Sequence, residues 1–225
     1  MTSASVRKID PAELARRELA RRGIGHRPLH WALAFPLSLL LLVVSGWLLY
    51  SFGMIEPAWW RDSGVLKYFA PAFALATLFF CICHCAPMYV FGHEMTHYLT
   101  AKLLRHRTGK VELGWRKGYV EVPEPNAIIV LAPYVIPFYF LLSVGLLALP
   151  DLVLPEGVLP SWYGIAVMCW LAVCAAFHVV LTCIAVFRAQ SDLEYCGRFL
   201  SLCIILTGNI AVFRAITQLA YFASI

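Results

Sequence analysis

His93, Glu94 and His97 are the residues whose types and spacing speak most directly of chemistry in this chain; they stand in Phe91-Gly92-His93-Glu94-Met95-Thr96-His97. On a helix, side chains four apart lie about 40° apart in azimuth and one turn apart in height. Two imidazoles so placed grip one metal ion. Glu94 projects beside that site, where it takes a proton from a water acidified by the ion. Imidazole and carboxylate donors with no redox demand suit zinc. A pattern with three fixed positions also recurs by chance in helices. Two histidines and a glutamate within a hydrophobic run, however, are costly unless they face an interior site and are satisfied there, which favours a metal site over coincidence.

A catalytic zinc takes three protein ligands and keeps a fourth place for water, so one donor is still required. Asp151 and Glu156 fall in a loop expected on the far side of the membrane, and Glu112, Glu121 and Glu124 on a mobile segment. Asp192 lies in Gln190-Ser191-Asp192-Leu193-Glu194-Tyr195-Cys196-Gly197, just before the last apolar run and on the same side as the end of the motif helix. Asp192 is therefore assigned as the third ligand, with Glu194 as the second choice. The competing reading makes Asp192 a helix-capping acid beside Arg188 and Arg198, with Ser191 capping the helix that follows.

The elements that position these groups are set by the solvent. Of 225 residues, 61% are hydrophobic and 14% charged, with a mean hydropathy of +0.74. A soluble domain is nearer half apolar and a quarter charged, so the excess points to a lipid bilayer. Backbone that crosses hydrocarbon must pair internally, which predicts helices. Apolar runs cover about 29–52, 68–104, 127–149, 162–187 and 199–222, giving five spans. No small-residue cleavage site follows the first, so it reads as a retained anchor.

The net charge of +5 does not read as nucleic-acid binding, because the basic residues cluster beside the apolar runs. With the N-terminus inside, seven fall in the tail and six at Lys102, Arg105, Arg107, Lys110, Arg116 and Lys117. With Arg188 and Arg198, 15 of 18 are cytoplasmic. Asp10-Pro11-Ala12-Glu13 marks a short helix in the tail. Between the motif and the next span, Lys110-Val111-Glu112-Leu113-Gly114-Trp115 and Tyr119-Val120-Glu121-Val122-Pro123 alternate polar with apolar around Arg116-Lys117-Gly118, which predicts a β-hairpin over 110–123. The fold class expected is an all-α integral membrane protein of about five transmembrane helices with that hairpin between the motif helix and the next span.

Phe91-Gly92-His93-Glu94-Met95-Thr96-His97-Tyr98-Leu99-Thr100-Ala101-Lys102 resembles the first signature of the site-2 protease family of intramembrane zinc metalloproteases. In that family the HExxH helix is followed by a small β layer, a second core helix, and a third that brings an aspartate near a glycine. The order over residues 85–200 is similar, with Asp192 and then Gly197. Ser-Asp-Leu with a delayed glycine replaces the family's Leu-Asp-Gly or Asn-Pro-Asp-Gly. The resemblance implies a zinc endopeptidase of the cell (inner) membrane, cutting a membrane-protein substrate in or near a transmembrane segment, with His93, His97 and Asp192 on Zn2+ and Glu94 as base. It divides the chain into a basic cytoplasmic segment (1–28), a first span with its external loop (29–66) and a metalloprotease membrane core (67–225). The hairpin edge would hold the locally unwound substrate as an added strand.

Other groups read more plainly. The eight cysteines lie mostly in apolar runs and read as reduced, buried side chains, Cys81-Ile82-Cys83-His84-Cys85 included. His178, Asn126, Asn209 and Gln218 suit interhelical hydrogen bonds, with oxyanion stabilisation the less favoured role for His178. Pro133 and Pro137 predict a kink that opens lateral access. Seven histidines without a His-x-x-His-His pair disfavour a di-iron oxidase. The non-enzymatic alternative is an inactive, zinc-holding membrane scaffold or sensor, against which Glu94 argues, being a base and not a ligand.

Overall fold

The computed structural model describes residues 28–54, 57–62, 64–123, 125–155, 158–188 and 191–223. The expected tail helix at Asp10-Pro11, along with Glu124 and Glu156, lies outside the described residues. The chain is mostly helical, and the first helix among the described residues is built inside out. α1 (Pro28–Phe52) buries Ser38 and Ser45 while Leu33, Phe35, Leu40, Val43 and Trp47 are exposed. In water that arrangement forfeits apolar burial all round the helix. Its 25 residues extend about 37 Å at 1.5 Å each, enough to cross a hydrocarbon core of about 30 Å.

α2 (Pro57–Asp62) is short. A π-helical turn (Val65–Phe69) then runs into α3 (Ala70–Ile82). The sequence pattern suggested one run from here to Leu104, but the helix stops at Cys83–Cys85, and α4 (Ala86–Leu103) begins anew. The reason is Pro87. In a continuous helix its ring would press on the carbonyl of Cys83 and its missing N–H would break the ladder, whereas in the first turn of a new helix neither matters. Cys85 sits at φ 42°, reversing the chain just before α4.

β1 (Val111–Leu113) and β2 (Gly118–Val120) form the expected antiparallel hairpin, with Val111 opposite Val120, Glu112 opposite Tyr119 and Leu113 opposite Gly118. Gly118 belongs to the strand and not to the turn. The Glu121 N–H bonds to the Lys110 carbonyl, and Gly114 N–H to Lys117 carbonyl. By the two-residue alternation of an antiparallel pair, the backbone N–H and C=O of Gly118 and Val120 point away from β1.

The third apolar run folds as α5 (Ala127–Val135) and α6 (Phe138–Leu147), bent by 68° at Ile136–Pro137. The break occurs at Pro137, as expected, while Pro133 stays inside α5. α7 (Leu149–Val153) is a short turn before α8 (Trp162–Phe187), followed by α9 (Ser191–Glu194) and α10 (Arg198–Ala223). Ala172, Ala175 and Ala176 on α8 are buried to 1% exposure or less, and α3 and α6 approach its backbone closely, while Ala185 (2% exposed) packs against α5, α9 and α10. α1 packs along α10, joined by Ser45 Oγ to Thr207 Oγ1 at 2.9 Å.

Among the described residues, four helical stretches are long and apolar enough to cross a membrane: Ala32–Phe52, Val65–Ile82, Trp162–Phe187 and Arg198–Tyr221; the bent α5–α6 pair makes a fifth if it is one span. The motif helix α4 is none of these. It packs instead against α5 and the hairpin.

Candidate metal centre

α4 presents His93 and His97 one turn apart, with ring planes at 84° and their Nε2 atoms 3.3 Å from each other. Asp192 Oδ2 lies 3.5 Å from His93 Nε2 and 3.7 Å from His97 Nε2. A four-coordinate ion with bonds of about 2.0–2.1 Å holds its donors about 3.3–3.4 Å apart, so this triangle is the right size to receive one. Among the described residues no other group of three His, Cys, Asp or Glu side chains is close enough to do so. Glu194, further along α9, is not part of the group. Glu112 pairs with Lys110 on the exposed hairpin, and Glu121 accepts from Lys110 N–H at 3.2 Å.

Two of the three donors, His97 and Asp192, are held from behind. His97 Nδ1 donates to the Ile129 carbonyl at 2.8 Å, which leaves Nε2 for the ion. That carbonyl is open because of Pro133. Four residues on in α5, Pro133 has no N–H to claim it. Asn126 caps α5 by accepting from Ile129 N–H at 2.9 Å, so its role is a helix cap and not an interhelical bond. Asp192 is set by its neighbours: Leu193 is 1% exposed, Ser201 Oγ donates to the Leu193 carbonyl at 2.9 Å, and the Tyr195 hydroxyl donates to the Pro125 carbonyl. Ser191 Oγ turns to the Asp192 carboxylate at 3.5 Å.

The Tyr134 hydroxyl donates to Asp192 Oδ2 at 2.9 Å, and its ring lies edge-on to His93. Sequence reasoning passed over Tyr134. Its signal was a phenol within an apolar run, since a buried Tyr O–H must find a partner. Burial by itself pushes the Asp192 carboxyl up, but the adjacent His93 and His97 outweigh it and hold the group well below the usual carboxylate range. Asp192 is thus an anion at neutral pH, as a ligand must be.

Glu94 is 9% exposed and faces the same cavity, of about 290 Å³, as the three donors. β2 forms one wall, with Gly118, Tyr119 and Val120 lining it. Gly118 permits this approach, because a Cβ there would stand 2.8 Å from Glu94 Cγ and 2.9 Å from Val90 Cγ1. The outer edge of β2, with its Val120 N–H bonded to the Glu94 carboxylate, and the donor triangle therefore share one chamber.

His178 lies elsewhere. Its Nε2 bonds to Asn209 Oδ1 at 3.0 Å, joining α8 to α10, in keeping with an interhelical bond. Gln218 accepts from Arg214 within α10. Cys83 and Cys85 fall in the α3–α4 break with sulfurs 3.8 Å apart; Cys81, Cys83 and Cys183 are exposed on the apolar surface and not buried as expected. No family model, curated protein or solved structure matches the chain.

Proposed function

We propose that this chain is a multi-pass protein of the cell (inner) membrane, with its N-terminus in the cytoplasm, that hydrolyses a peptide bond in or near the transmembrane segment of a membrane-protein substrate. The observation that carries the proposal is the donor triangle of His93, His97 and Asp192 with Glu94 in the same chamber. Two imidazoles and a carboxylate suit zinc, with its borderline softness and lack of redox chemistry. When bound, zinc supplies a Lewis acid that acidifies water and polarises the scissile carbonyl.

The remaining steps belong to the chain. Glu94, enclosed and facing the chamber, accepts the proton of the attacking water and passes it to the departing amine. The outer edge of β2 offers the backbone of Gly118 and the Val120 carbonyl to an unwound substrate segment, fixing it beside the triangle, while the Val120 N–H is engaged by the Glu94 carboxylate. The inside-out α1 and the long apolar stretches support a bilayer setting, and the cluster of 15 basic residues supports the orientation.

Glu94→Gln tests the reading, because it removes the base without removing a ligand. Membrane proteomes of cells carrying wild type and this variant are compared for fragments that end in or near a transmembrane segment. The expected outcome is fragments with wild type alone, while both purified proteins hold one zinc. Identical fragment profiles with zinc retained would favour the inactive scaffold instead.

A further inference from the structure

Behind the metal centre, away from the β2 chamber, is a second cavity of about 30 Å³ whose polar lining includes Tyr89, His93, Thr96, His178 and Thr182. Most of its lining is apolar, Phe138 and Phe177 included. Two buried polar atoms on the Tyr89–His93 turn have no partner among the described residues: His93 Nδ1 and the Tyr89 hydroxyl. Thr96 is already committed, donating to the Gly92 carbonyl at 2.7 Å.

The protonation pattern around this cavity follows from its hydrogen bonds. Asn209 Nδ2 donates to the carbonyls of Tyr134 and Ile205 at 2.7 and 2.8 Å, so its Oδ1 is an acceptor. His178 Nε2, 3.0 Å from that oxygen, must carry the proton. A neutral His178 then offers Nδ1 as an acceptor. His93 is the reverse. With Nε2 turned to the donor triangle, its Nδ1 carries the hydrogen and must donate. Residues lining one cavity thus supply a donor, an acceptor and a phenol that can do either.

We propose that an ordered water molecule occupies this cavity, accepting from His93 Nδ1 and bonding to His178 Nδ1 and the Tyr89 hydroxyl, and that His178 is a positioning residue for His93 through it. This rests on the metal-centre reading. A water needs roughly 10–15 Å³ of such space and two to four polar partners; the cavity has the volume, and His93, His178 and Tyr89 in its lining are the candidate partners. The water does for His93 what the Ile129 carbonyl does for His97. It also closes a circuit, because Asn209 bonds to the backbone of Tyr134, whose hydroxyl holds Asp192. His93 and Asp192 are then oriented from behind by one network reaching through α5, α8 and α10, and His97 separately by the Ile129 carbonyl.

The test is zinc affinity of the full chain in detergent, by chelator competition, for wild type, Tyr89→Phe, His178→Leu and His178→Gln. Loss of an outer partner of a ligating histidine lowers metal affinity about 10- to 100-fold. His178→Leu is expected to fall in that range and Tyr89→Phe to weaken binding in the same direction. His178→Gln, which keeps a donor for Asn209 and an acceptor for the water, should stay within a few-fold of wild type. Equal affinity of wild type and His178→Leu overturns the proposal, as does equal loss in the Leu and Gln variants, which would mean that His178 acts by packing. 15N-histidine NMR supplies a readout free of metal: His178 protonated on Nδ1 overturns the water site and leaves the donor triangle standing. A wild type without stoichiometric zinc overturns the metal centre, and the water site with it.

Discussion

Pro133→Ala separates what α5 needs as a helix from what the metal centre needs of it. A proline inside a helix is less favourable than alanine by about 3 kcal/mol, and replacing the buried ring gives back roughly 2 kcal/mol through lost packing. The metal-free protein is therefore expected to unfold at the same temperature as wild type or slightly higher. The backbone N–H that alanine restores at this position, however, points at the Ile129 carbonyl, which now accepts from His97 Nδ1 at 2.8 Å. Competition for that oxygen loosens the imidazole. Outer-partner losses of this kind cost about 10- to 100-fold in metal affinity, or about 1.4–2.7 kcal/mol. The carbonyl has two lone pairs and can serve both donors in part, so the lower end, about tenfold, is expected. The assay pairs thermal unfolding of the metal-free protein with chelator competition for zinc on the same preparation. Unchanged zinc affinity with unchanged or raised stability would refute the claim that Pro133 frees this carbonyl for the site.

Three further outcomes follow from the same geometry. Tyr134→Phe deletes a hydrogen bond to a partly buried carboxylate, worth about 1.5–3 kcal/mol, and should weaken zinc binding at least tenfold with little change in helix content by circular dichroism. Gly118→Ala places a Cβ 2.8 Å from Glu94 Cγ, so β2 or Glu94 must shift by several tenths of an ångström. Misplacement on that scale is expected to cut cleavage about 10- to 100-fold while leaving zinc content at one equivalent, since none of the three donors is touched. Asp192→Ala should abolish stoichiometric zinc in elemental analysis and Glu194→Ala should not. The reverse result would move the third ligand along α9.

The sequence by itself determined the type of the long elements, though not where they break. Long apolar runs favour helices and the alternation over 110–123 favours a hairpin, because each period is a local property of the backbone. It also determined His93, Glu94 and His97, since an i, i+4 pair is brought together by one helix turn. Asp192 was legible only by elimination: it stands far along the chain from His97, and nothing local ties them. Tertiary structure decided that contact by burying Leu193 and pinning α9 through Ser201 and Tyr195. It also decided where the second run breaks, giving the motif a helix of its own. The roles of Pro133, Tyr134, Gly118 and His178 were out of reach for the same reason. Each acts on a group distant in sequence, through an open carbonyl, a hydroxyl, an absent Cβ or a cavity. Residue type alone is silent on such roles, because they exist only once α4, α5, α8, α9 and the hairpin are packed around one centre.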